Sequence, residues 1–259
     1  MSKRAWMAAV LVSGWGGSGF AGSDLPDPDL SVRSIPHGLL HRSREYCRSK
    51  KRELKLCEKE EITLPVFGRE APPFTREIAA RLAPYLHDYE KSDPVREVEE
   101  AIGDYGGVVG GKWYDALKAD LYARTPSTYT LRLTRSEYSG GAHGSFTVVF
   151  LNVLPGREAP VKLSECFRSG SGKRLLKIAE HHYRREHGLA PNTPLKADGW
   201  FEERFVLAEN FAFTSRGILF LYNQYEIKPY AAGLTTFLLP YGALRGIIDP
   251  DGPLAFALK

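Results

Sequence analysis

Hydrophobic and polar positions alternate most regularly between Tyr129 and Val153, and the rest of the chain is read from this stretch. Tyr129, Leu131 and Leu133 interleave with Thr130, Arg132 and Thr134, the two-residue period of a half-buried strand. Phe146 to Val153 is almost continuously apolar, β-branched or aromatic, as in a strand covered on both faces. Between them lies Ser139-Gly140-Gly141-Ala142-His143-Gly144. Its three glycines permit the positive φ and close backbone approach of a tight connection. The pattern predicts a long antiparallel hairpin at the centre of a sheet.

Elsewhere the pattern changes period. Glu61 to Phe67 reads as a strand. Ile78, Leu82, Tyr85 and Tyr89 recur at helical spacing behind Thr75, a potential N-cap, and Pro84 should kink that helix. Trp113, Leu117 and Leu121 share the same spacing, so 113–122 reads as a second helix. Val161 to Phe167 reads as a short edge segment. Ser171 to His187 reads as a helix with Leu175, Ile178, Ala179 and Tyr183 inward and Gly188 past its end. Strands are expected at Arg204–Ala208 and Thr235–Leu239, with a hairpin over 210–213 and 217–222. Pro240 to Leu244 starts a short helix. Helices with mainly antiparallel strands make an α+β architecture, a sheet flanked by helices with two subdomains packed as one unit.

Composition adds the setting. The 259 residues are 43% hydrophobic and 25% charged, ordinary for a folded protein with a sizeable core. Lys3 and Arg4, the apolar run from Ala5 to Trp15 and the small-x-small Gly19-Phe20-Ala21 have the form of a secretory signal over 1–21. A flexible, Pro- and Asp-rich lead-in over 22–40 follows. No later run approaches the roughly 18 apolar residues of a spanning helix. The expectation is a periplasmic or secreted protein with no stable membrane span. The formal net charge of +4 is too balanced to argue for nucleic acid. Residues 41–55 carry seven Lys or Arg against two Glu, either a solvated face or a patch for an acidic partner. Cys47 and Cys57 lie ten apart, and a disulfide between them suits an oxidising compartment. Cys166 is left over, and its pairing with either of the others stays open.

One resemblance organises these segments. Tyr138–Gly144, the strand and turn from Phe146 to Gly156, Val161–Phe167, Phe205–Gly233 with its YEIKPYAAG loop, and Phe237–Ile248 resemble in order and spacing the DUF3298 (RsiV-like) domain family of bacterial envelope proteins. The match covers roughly 125–250, giving a domain over 125–259. The segment over 41–124, with Leu64-Pro65-Val66-Phe67-Gly68-Arg69, resembles more loosely the DUF4163 companion domain. The family includes the extracellular part of an anti-sigma factor that binds lysozyme, and parts accompanying peptidoglycan deacetylase domains. The chain shows neither a deacetylase domain nor an anti-sigma segment with its transmembrane helix. The resemblance therefore implies an envelope binding module, with a lysozyme-like protein or peptidoglycan as partner and no cofactor.

The residues themselves offer two groups. His143, flanked by glycines, either bonds its own loop or serves a hydrolase together with Glu137, Glu226 and a nucleophile such as Ser139 or Ser145. Tyr225, Glu226, Lys228 and Tyr230 form a recognition surface, since tyrosines combine contact area with a polar end, or else Glu226 pairs with Lys228 or Arg132 to fix the loop. Binding residues are accordingly His143, Tyr225, Glu226 and Tyr230. His181 to His187 lacks the HExxH and HxxEH spacings, so it reads as a solvated, basic helix end and not a metal site. The four glycines at 106–111 lack a Walker ending. Asp198, Glu202 and Glu203 read as ordinary surface acids.

Overall fold

The computed structural model describes residues 37–51, 54–69, 71–72, 74–104, 111–140 and 143–259, with Pro28, Val32 and Ile35. The proposed signal segment, most of the lead-in and the 106–110 glycines lie outside the described residues. The strands are β1 (Gly38–Lys51), β2 (Leu54–Val66), β3 (Gly111–Arg124), β4 (Tyr129–Tyr138), β5 (Ser145–Val153), β6 (Phe211–Phe213), β7 (Gly217–Tyr222) and β8 (Thr235–Pro240). The helices are α1 (Phe74–Lys91), α2 (Pro94–Asp104), α3 (Gly172–Glu186) and α4 (Tyr241–Leu244). Strands β1 to β5 form one sheet in sequence order, and β6 to β8 form a second. This is the expected α+β class.

The hairpin strands β4 and β5 are hydrogen-bonded neighbours, as expected, but they close one end of the five-stranded order and β3 occupies its middle. The expected helix over 113–122 is instead β3, which pairs parallel with β2 from Leu56↔Gly111 to Thr63↔Lys118. Parallel neighbours require a crossover, and α1 and α2 supply it between β2 and β3. The described residues divide into two compact units, one of 37–120 and 133–148, the other of 121–132 and 149–259.

In the first unit β1 and β2 make an antiparallel ribbon that places Cys47 opposite Cys57. Leu56, Ile62 and Leu64 of β2 are buried with Ile78 and Leu82 of α1 and Val98, Ala101 and Ile102 of α2. Both helices present apolar residues three or four apart, which fall on one face. Tyr85 and Tyr89, expected inward, are only half-buried. Thr75 lies inside α1, and its hydroxyl donates to the Pro72 carbonyl at 2.7 Å.

The second unit is built on aromatic rings. Strand β7 is buried along its length, and β8 alternates buried with half-buried positions. Phe213, Phe220, Phe237, Tyr183 and Tyr222 are almost wholly inaccessible. Gly217 pairs with Pro240, and a Cβ there would collide with the Leu239 carbonyl, so glycine is required by close approach. One polar knot lies in this core. The Asn152 amide donates to the Phe211 carbonyl at 2.7 Å, and its oxygen accepts from Phe213 N–H at 2.9 Å and from the Thr130 hydroxyl at 2.7 Å. A side chain thereby satisfies β6 backbone groups that no strand ladder reaches on that side.

Two further expectations are corrected here. Arg204–Ala208 is unpaired coil, because the Tyr222 hydroxyl takes the Val206 carbonyl at 2.5 Å where a strand partner would. Val161–Phe167 contains a 3-10 turn at Leu163–Cys166, closed by the Glu165 N–H donating to the Lys162 carbonyl at 3.0 Å and capped by the Lys162 N–H donating to the Glu165 carboxylate at 3.3 Å, with an isolated bridge from Phe167 to Ile248.

Candidate functional site

The YEIKPYAAG loop joins β7 to β8. Ile227 and Lys228 are buried while Tyr225 and Glu226 are exposed, so the loop is held from its middle. The Lys228 ammonium lies 2.8 Å from Asp198. Asp198 ends a 3-10 turn, Leu195–Asp198, whose chain reverses at Gly199 with φ 85°. Its carboxylate also accepts the Tyr183 hydroxyl from α3, and the Trp200 indole N–H donates to that hydroxyl at 2.7 Å. His187 stacks on the Tyr183 ring at 4.1 Å between centroids, with Nδ1 3.6 Å from the Asp198 carboxylate.

Burial opposes ionisation of Asp198, but the Lys228 and Tyr183 hydrogen bonds outweigh it and hold the carboxyl below its ordinary range. Burial first, and the adjoining Asp198 charge second, push the Tyr183 phenol far above its ordinary value. Tyr183 is therefore a fixed neutral donor and Asp198 a fixed anion. The expectation that Glu226 pairs with Lys228 is corrected: Asp198 takes that lysine, and Glu226 accepts weakly from the Asn223 amide at 3.4 Å. Asp198, expected at the surface, is the hub of the anchor.

The anchored loop is strained where it meets solvent. Tyr225 adopts φ 64°, and it is the sole non-glycine residue at positive φ among the described residues. Such a conformation costs about 1–3 kcal/mol for a bulky residue. Beside it the Gln224 side-chain oxygen is buried and accepts no hydrogen bond among the described residues. Tyr225 and Tyr230 come together with ring centroids 5.7 Å apart and planes tilted by 36°. Phe201 and Val206 are also exposed, at 45% and 47%. Phe201 N–H donates to the Ile227 carbonyl at 2.8 Å, and Val206 is held by Tyr222, so these apolar side chains border the loop. Glu202, Glu203, Glu209 and Glu226 are exposed in the same segments, against one exposed cation, Arg204. Loss of hydration, reinforced by the Glu209 charge, raises the Glu226 pKa.

The residues of the hydrolase reading divide between the units: His143 and Glu137 fall in the first, Glu226 in the second. His143 is half-buried, and Glu137 is ion-paired to Arg135 at 2.7 Å. Cys47 and Cys57 form a disulfide, while Cys166 is buried as a free thiol pushed up to about 12 by burial and then by Glu165. In the basic stretch of α3, His182 is buried, contrary to a solvated helix end. Sequence reading missed Tyr183, Asp198, Trp200 and His187 as one group. The available signal was Lys228, a lysine set between Ile227 and Pro229, where burial demands an anion.

Nearly all of this geometry lies between Cys166 and Gly242, and residues 165–242 match the family described as protein of unknown function, DUF3298. That segment is a DUF3298 match. No curated protein matches the chain significantly. Among solved structures, a DUF3298 family member from Bacteroides fragilis is similar at TM-score 0.62 and 18% identity, over 87% of this chain and 98% of that one. A DUF3298 family protein from Pseudomonas aeruginosa is similar at TM-score 0.57 and 18% identity, over 83% of this chain and 95% of that one. At that identity the likeness is one of fold. Both the Asp198–Lys228 anchor and the tyrosine loop fall inside the DUF3298 match.

Among the described residues no helix is long and apolar enough to cross a membrane.

Proposed function

We propose that this chain is a non-catalytic binding module of the bacterial envelope, and that the Tyr225–Tyr230 loop of its DUF3298 segment recognises a macromolecular partner. The carrying observation is the exposed Tyr225, kept at positive φ against Tyr230 by a loop whose middle is tied to Asp198. A strained aromatic that the surrounding structure over-determines is a reasonable mark of a recognition site. Tyrosine pairs bring large contact area at small entropic cost. The bordering carboxylates favour a cationic protein, which fits the lysozyme-like partner implied by the family resemblance better than the basic β1 strand does. The 41–124 segment stands in this reading as a DUF4163-like companion. The periplasmic or secreted setting rests on the form of residues 1–21.

The test is binding of the exported protein to a lysozyme-like protein and, in parallel, to purified peptidoglycan. Tyr225→Ala with Tyr230→Ala should weaken the protein complex at least tenfold, the scale of a contact hot spot, without lowering the melting temperature. Equal affinity in the double variant would sink the proposal, and retention on peptidoglycan alone would replace the protein partner. Hydrolysis of cell-wall material that disappears in His143→Ala would favour the envelope-hydrolase alternative.

A further inference from the structure

The C-terminal half of α3 forms one wall of an open groove of about 440 Å³, lined by Lys177, His181, Arg184, Arg185, Leu189 and Pro191, with Glu180 beside them. Lys177, His181 and Arg185 recur every fourth residue and are exposed, so they form one stripe along the helix. At a rise of about 1.5 Å per residue their steps are about 6 Å, and the stripe is about 12 Å long. Arg184 plays another part. It neutralises Glu180 at 2.8 Å and donates to the Thr193 carbonyl at 2.7 Å, which ties the return segment to the helix and builds the far wall. The Arg185 guanidinium rests 3.1 Å from Nδ1 of His182. Burial, then the Arg185 and His181 charges, lowers the His182 pKa, so that ring is a neutral acceptor orienting the guanidinium. Among the described residues no carboxylate pairs with Lys177, His181 or Arg185.

Cations in the last helical turn complement the helix dipole, and that accounts for Arg184 and Arg185. It does not account for Lys177 and His181, which precede that turn. Nor does a small anion fit, because one anion cannot span a stripe of about 12 Å. We propose that the groove binds a linear phosphodiester chain, with successive phosphates at Lys177, His181 and Arg185 and its carbon segments against Leu189 and Pro191. A guanidinium fork and a lysine point charge are both phosphate-binding groups, and histidine offers an N–H in either charge state. The inference is independent of the tyrosine loop.

The experiment titrates the intact protein into a fluorescent oligomer of glycerol phosphate and follows anisotropy at several salt concentrations. Lys177→Glu and Arg185→Glu should each weaken binding about tenfold. Three phosphate contacts give a log–log salt slope of about −2, at about 0.7 per contact on a single strand. Lys177→Glu should melt like the parent, whereas Arg185→Glu puts an anion in the last helical turn and should melt slightly lower, so binding is read well below either transition. Arg185→Lys, which keeps charge and loses the fork, should fall between parent and Arg185→Glu. Unchanged binding in both Glu variants would overturn the assignment. So would saturation by inorganic phosphate at the same concentration, which marks a single-anion site, or tighter binding of polygalacturonate, which marks a carboxylate polymer.

Discussion

In the first unit the inward face of β2 carries Glu58 and Glu60 among Leu56, Ile62 and Leu64, whereas in the second β7 is buried from Gly217 to Tyr222 with no charge at all. Each carboxylate on a core face needs compensation. Arg44 answers Glu60 at 2.5 Å, the Ser92 hydroxyl donates to it at 2.8 Å, and Glu97 brings a third carboxylate within 4.8 Å of the other two. Further along the sheet Arg135 holds Asp115 at 2.6 Å and Glu137 at 2.7 Å. The second unit instead stacks rings. Phe237 lies 5.1 Å from Phe220, 5.6 Å from Tyr183, 6.2 Å from Phe205 and 6.4 Å from Tyr222. Such a platform backs the loop with packed rings, while the Asp198–Lys228 pair, which does respond to pH, ties the middle of the loop to it. The ionic unit is the more tunable of the two.

The largest expected effect tests the aromatic half of this contrast. Phe237→Ala removes a fully buried ring and should cost about 3–5 kcal/mol in urea unfolding. A loss below about 1 kcal/mol would mean that the ring lattice is not what stabilises the unit. Next comes Lys228→Met. The pair it breaks has side chains only 10% and 17% exposed, so solvent screening is slight and Asp198 is left uncompensated, at about 3 kcal/mol. The pH dependence gives the sign independently. The Asp198 pKa is depressed in the folded state, so its contribution is full above the unfolded value and is lost as pH falls through the folded one. In Lys228→Met that acid-side loss should be much smaller. Glu226 behaves oppositely: its raised pKa means that ionisation disfavours the fold, and Glu226→Gln should stabilise slightly above the carboxylate range.

Where the sequence could be read, the reason is periodicity that only one structure satisfies. The alternation at Tyr129–Leu133, the apolar run to Val153 and the helical stripe through Leu175, Ala179 and Tyr183 each admit one element, although the burial expected of the two strands is reversed. Tyr129–Leu133 is buried on both faces, Thr130 and Arg132 included, and Phe146–Val153 mostly alternates buried with half-buried positions. Trp113-Tyr114-Asp115-Ala116-Leu117-Lys118-Ala119-Asp120 admits two. Its alanines and alternating charges favour a helix locally, yet a slot between β2 and β4 supplies ladder partners on both sides, and tertiary pairing wins. Parallel neighbours require a crossover, which α1 and α2 provide between β2 and β3, but the sequence marked only the first of these two helices. The candidate site was half legible. Tyr225, Glu226 and Tyr230 are marked by their own loop, whereas Asp198 looked like any other acid because its partners lie 15 and 30 positions away in sequence. Nothing local distinguishes a buried carboxylate from an exposed one.

A smaller effect sharpens the contrast from the other side. Cys47 and Cys57 are cross-strand partners in the β1–β2 ribbon, and the cross-link closes a short loop. In the chain-entropy account its removal costs about 2–3 kcal/mol. Cys47→Ser with Cys57→Ser should therefore speed amide exchange over 38–66 and leave 211–240 unchanged. Equal acceleration in both segments would show that the units do not hold their stability separately.

The smallest effect falls on the half-buried ion pairs. Arg135 meets Asp115 through two N–H donors, at 3.0 Å and 2.6 Å, while both side chains keep some contact with water. Lysine at this position preserves the charge but cannot form two parallel bonds, so Arg135→Lys should cost about 0.5–1 kcal/mol. The diagnostic is salt. If ionic pairing holds this part of the sheet, the difference between Arg135 and Lys should shrink as ionic strength rises toward 1 M, where charges are screened beyond about 3 Å. A difference independent of salt would assign the contribution of Arg135 to packing of its aliphatic stem, and the first unit would then resemble the second more closely than its charges imply.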